Sequence, residues 1–115
     1  MTRVRLESVA SAGRFSVDAQ GHATGSVALC AAVSCLLQTL EGRILNEEAV
    51  DPLEVRLDAA DAKLVWSGGA EAATAFDLAV VGFRRLAATD PARIAVTVEE
   101  KLFPDYRRSG GKAVL

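Results

Sequence analysis

The sequence predicts an α+β fold: a two-layer, mainly antiparallel five-stranded sheet with two helices, in the order ββαββαβ. Three observations predict it. Short strand-like segments, most of them alternating between apolar and polar, come in pairs joined by brief turns. Each pair leads into a long apolar-rich segment whose hydrophobic residues recur at three- and four-residue steps. Every alternating segment also keeps one charged or polar side, which reads as a sheet with helices on one face and water on the other.

Residues 3–7 and 14–18 alternate cleanly around a turn at Ala12 and Gly13, forming the first hairpin. The first helix should start with Ser26 as N-cap and run through Leu40 to Glu41, with Gly42 as a natural stop. Residues 53–58 and 62–67 form the second hairpin across a short polar link at 59–61. Gly68 and Gly69 read as a turn, since no lysine follows and their spacing matches no phosphate-binding loop. The second helix spans about residues 71–88, with Ala72, Ala75, Phe76, Ala79, Val80, Phe83 and Leu86 on one stripe. After Asp90-Pro91, Ile94, Val96 and Val98 alternate as a fifth strand, followed by an irregular tail.

With 115 residues, half of them apolar and only 5% aromatic, the chain suits a single domain over residues 1–115 with a tight aliphatic core. Trp66, its only tryptophan, is expected to plug that core. A net charge of -2 offers no cationic field for a phosphate backbone, so nucleic acid is not the expected partner. Arg3, Arg5, Arg107, Arg108 and Lys112 are local and read as solvated.

Residues 1–11 hold no apolar core of a signal peptide, and the longest apolar run, residues 27–37, is shorter than the ~18–20 residues a membrane span needs. No membrane association is expected. Two cysteines in such a chain point to the reducing cytoplasm rather than a disulfide framework. Cys30 and Cys35, five apart, diverge by ~140° around a helix, so they neither bridge nor share a metal. One histidine and two divergent thiols do not make a zinc site, and no cofactor is implied. Cys35 is expected in the core.

Chemistry concentrates at His22 and Cys30. A thiol attacks as its thiolate, and Cys30 in the first turn of a helix, with the only imidazole on the loop leading in, has the two influences that stabilise that anion. Gly21 and Gly25 let the loop take conformations closed to other residues and fold over a bound peptide. Gly21-His22-Ala23, followed after a short glycine-containing loop by Cys30-Ala31-Ala32-Val33-Ser34, resembles the ribosomal-processing cysteine protease family, Prp, also called YsxB-like. Phe103-Pro104-Asp105-Tyr106 is similar to the family's closing Tyr-Pro-x-Tyr segment.

The resemblance implies that His22 and Cys30 form a catalytic dyad. The enzyme would remove an N-terminal extension from a large-subunit ribosomal protein, so the expected partner is a ribosomal protein precursor peptide. Gly21, Ala23 and Gly25 on the loop and Ser34 one helical turn after Cys30 are the candidate substrate-binding residues, and a homodimer is expected. The chain also departs from the family. Val27 stands where the family has Asp, and only seven residues separate His22 from Cys30. Asp18 is a candidate substitute for orienting the imidazole. The departures leave room for an alternative, a catalytically silent homologue that binds a ribosomal protein or peptide. A small RNA-binding domain is disfavoured by charge and by the lack of aromatic pairs in the strands.

Overall fold

A computed structural model of the chain describes residues 1–103. The strands are β1 (Thr2–Val9), β2 (Arg14–Gln20), β3 (Val50–Asp58), β4 (Asp61–Gly68) and β5 (Ile94–Lys101), and the helices are α1 (Val27–Asn46) and α2 (Ala70–Thr89). The expected order ββαββαβ is therefore observed, with a single 3-10 turn, Ala10–Ala12, inside the first hairpin. The five strands form one sheet in the order β3-β4-β2-β1-β5. All neighbours are antiparallel except β1 and β5, which run parallel because α2 carries the chain back across the sheet.

Alternation sorts the two faces. Val4 and Leu6 of β1, Val17 and Ala19 of β2, Ala62, Leu64 and Trp66 of β4 and Ile94 of β5 are buried beneath the helices. Arg5, Glu7, Asp18, Lys63 and Lys101 line a shallow concavity on the opposite face. There Arg5 bridges Glu7 and Glu99 at 3.4 and 3.0 Å, while Lys101 reaches the same two carboxylates at 3.5 and 3.6 Å.

Helix α1 starts as its sequence dictates: the Ser26 hydroxyl accepts the Leu29 amide at 3.1 Å. Its end differs from the expected stop at Gly42. The buried stripe Leu29, Val33, Leu37, Leu40 and Ile44 continues past Gly42, and packing of Ile44 outweighs a glycine penalty of about 1 kcal/mol. Arg43 then pairs with the capping residue Glu47 at 3.0 Å. At 20 residues α1 is long and apolar enough to cross a membrane by length and composition, beyond what the 27–37 run implied. In this fold its stripe lies against the sheet and α2. Cys35 departs from expectation: it is exposed on the outer side of α1, because the stripe at Val33 and Leu37 leaves it pointing away.

The stripe predicted for α2 is buried from Ala72 to Phe83, with Leu86 half-buried at its end. Trp66 is fully buried, as expected; its Nε1 donates to Ala72 O at 3.0 Å, and Phe15 and Phe76 pack on it with ring centroids 5.9 and 6.4 Å away. Gly68 and Gly69 make the turn into α2. A Cβ on Gly68 would meet Ala49 O at 2.8 Å, which accounts for glycine there. Strand β3 starts at Val50, earlier than expected, because Pro52 is accommodated on a sheet edge beside a bulge between Pro52 and Glu54. Of the 103–106 segment, only Phe103 lies within the described residues.

Phe83 is fully buried beneath α2. Phe83→Ala is expected to cost about 3–5 kcal/mol, read as a lower urea midpoint at unchanged slope.

Candidate active site

Gly21 closes β2 with φ +87, and its conformation is dictated from three sides. Its N–H donates to Ala60 O at 2.8 Å, its carbonyl accepts from the buried Thr2 Oγ1 at 3.1 Å, and a Cβ added to it would sit 2.5 Å from Met1 O. The end of β2, the start of β1 and the β3–β4 turn therefore meet at one glycine. His22 projects from the next position into solvent, while Ala23 turns inward and is 1% exposed. The Ala23 carbonyl accepts twice, from the Ser26 amide at 3.1 Å and from Cys30 Sγ at 3.6 Å. These bonds fold the short loop back onto the start of α1.

His22 and Cys30 line the same cavity of about 250 Å³, walled by Val33, Ser34 and Leu37 of α1, by Thr2, Ala19 and Gly21, and by the β3–β4 turn. Cys30 is half-buried and His22 exposed. Among the described residues, no hydrogen bond joins them in this arrangement. Gly21 and Ser34 also border the cavity, whereas Ala23 lies beneath the loop and Gly25 lies against Arg93 on its other side. Ala23 and Gly25 thus shape the loop instead of lining the space beside the thiol.

Helix start and thiol are in register for anion chemistry. The Cys30 amide is already spent on Ser26 O at 3.2 Å and the Leu29 amide on Ser26 Oγ. The amides of Val27 and Ala28 carry no hydrogen bond among the described residues, so these are the donors left at the helix N-terminus.

Asp18 does not serve the imidazole. Its neighbours Val17 and Ala19 point to the core, so alternation turns Asp18 to the open face, beside Lys63 and in hydrogen bond with Gln20 Nε2 at 2.9 Å. The carboxylates on the cavity are instead Asp58 and Asp61, either side of the tight Ala59-Ala60 turn, where Ala60 takes φ +58. Asp61 is engaged by Arg56 and accepts from Gln20 Nε2 at 2.7 Å. The Arg56 hydrogen bond, then that of Gln20, hold its carboxyl below the usual aspartate range, and Asp61 in turn raises the Arg56 guanidinium. Asp58 enters no ion pair among the described residues. Among them there is also no cluster of three or more metal-ligating side chains.

No protein-family model matches the chain, and no curated protein matches it. Solved structures do. The ribosomal processing protease Prp of Staphylococcus aureus, with a covalently linked product peptide, matches with a TM-score of 0.72 at 18% identity, over 85% of this chain and 99% of that one. The chain has the Prp fold. The same protease with a substrate peptide matches at 0.64 and 17% identity, over 85% of this chain and 99% of that one. A Streptococcus mutans protein matches at 0.68 and 18%, over 88% and 99%. At these identities the likeness is one of fold.

Two measurements test this geometry. Gly21→Ala forces a side chain against Met1 O in a left-handed backbone and is expected to cost about 1–3 kcal/mol, seen as a lower melting temperature. Because the Asp61 carboxyl titrates below its ordinary range, its contribution is complete above about pH 4 and lost as pH falls further. Protection of the Gly21 amide, which bonds Ala60 O beside Asp61, should fall over that same acid range and be insensitive to acid in Asp61→Asn.

Proposed function

We propose that the protein is a cysteine endopeptidase that uses Cys30 and His22 to remove an N-terminal extension from a large-subunit ribosomal protein precursor. The observation that carries the reading is the shared cavity: one thiol at a helix start and one imidazole on a glycine-hinged loop border the same peptide-sized recess, in a fold shared with a processing protease. His22 takes the Cys30 proton, and the sulfur attacks the scissile carbonyl carbon. The carbonyl oxygen, now anionic, is met by the free amides of Val27 and Ala28. His22 returns the proton to the leaving amine, and water, deprotonated by the same imidazole, releases the acyl group and frees the thiol.

Further support comes from the walls. Thr2, Val33, Ser34 and Leu37 offer a mostly apolar surface for extended peptide, with Asp58 at the rim. Two free cysteines suit a reducing cytoplasm, and exposed Leu78 and Val81 on the outer side of α2 support a homodimer. A second reading, a silent homologue that binds the precursor without cutting it, is favoured by one feature: Val27 leaves no acidic residue beside the dyad on α1, and no hydrogen bond links His22 to Cys30 among the described residues.

Incubation with a ribosomal protein precursor carrying its extension should give a shortened product from the parent and none from Cys30→Ala or His22→Ala. Binding without cleavage by all three supports the silent homologue. The two thiols also provide an internal control, since Cys35 is exposed and Cys30 half-buried. Accessibility alone makes Cys35 the faster to alkylate, so faster labelling of Cys30 by iodoacetamide at pH 6 marks an activated nucleophile, and slower labelling counts against one.

A further inference from the structure

We propose that Arg93, oriented by Asp90, is the positioning residue of the loop that brings His22 to Cys30; the proposal rests on the reading of those two side chains as a dyad. Five bonds hold the loop at its ends, two at Gly21 and three at Ser26. Its middle is held from the far end of the chain. Arg93 Nε donates to Thr24 O at 3.1 Å across 69 residues of sequence. The guanidinium lies along the backbone of Gly25, close enough that a Cβ there would be 3.5 Å from Nε and 3.6 Å from Nη2.

Arg93 is itself aimed. Its Nη1 donates to both Asp90 carboxylate oxygens, at 3.3 and 3.1 Å. Asp90 is anchored by its amide on Leu86 O at the end of α2, and its carbonyl accepts from the Arg93 and Ile94 amides at 3.1 and 3.2 Å. The Arg93 carbonyl takes the Thr2 amide at 2.9 Å, and Thr2 Oγ1 holds Gly21 O. One residue therefore grips the loop twice: through its side chain at Thr24, and through Thr2 at Gly21. A guanidinium does this because separate nitrogens of one rigid fork serve Thr24 and Asp90; a lysine ammonium has no such fork.

The test uses the full chain carrying Cys35→Ser, so that only Cys30 reports. In Arg93→Ala the Ser26 amide, whose bond to Ala23 O closes the loop, should exchange with deuterium about tenfold faster by NMR. The pH profile of Cys30 alkylation should shift with it. Arg93→Lys should recover part of both effects, and Asp90→Asn should give a weaker version of the alanine result. Unchanged Ser26 exchange and an unchanged alkylation profile in Arg93→Ala would overturn the proposal, as would acceleration spread evenly through α2 and β5, the mark of a merely structural residue. Neither readout requires turnover. Both changes in Arg93→Ala with normal precursor cleavage reject the positioning role and leave the protease standing, whereas both changes beside a parent that cuts nothing reject only the protease.

Discussion

The site depends on a backbone crossing at Gly21. Three strand ends converge there, leaving space for no side chain, and the chain escapes only by turning left-handed. That turn throws His22 outward and Ala23 inward, and the buried methyl of Ala23 sets its carbonyl between the Ser26 amide and the Cys30 thiol. The placement of sulfur and imidazole is thus a consequence of sheet packing rather than of contacts between the two. It also explains why a loop of seven residues suffices: both of its ends are fixed before any ligand arrives.

Much of the fold was legible because its signals are local. Period-two alternation located four of the five strands, the hairpin partner of residues 53–58 supplied the other, and the stripe from Ala72 to Phe83 located α2. Two of the misreadings share a cause, which is that tertiary packing outweighs a local breaker. Gly42 did not end α1 because Ile44 had a core to enter, and Pro52 did not delay β3 because an edge strand has one ladder of its backbone free of partners. Cys35 was read as core from residue type, whereas the helical angle from Val33 and Leu37 places it outside.

The site was legible in part. His22, Cys30, Gly21 and Ser34 stand within fourteen positions of one another, so spacing alone could bring them together. Asp58 and Asp61 were not legible, since they reach the cavity only because β4 inserts between β3 and β2, a fact of strand order that no local pattern encodes. Arg93 lay further out of sight, linked to Thr24 solely through the parallel pairing of β5 with β1. Asp18 fails for the opposite reason. It is close in sequence to His22, yet the pleat places it on the far side of the sheet.

The outer margins of the sheet carry one more consequence. An exposed strand is an open template on which another chain can polymerise, and β3 presents nine residues of it. Here that template is spoiled: Pro52 lacks a donor, the adjacent bulge breaks the repeat, and Asp51, Glu54, Arg56 and Asp58 stud the ribbon with charge. A neighbouring chain laid along this margin would find its ladder interrupted at Pro52 and the bulge, which disfavours fibrillar self-stacking through β3.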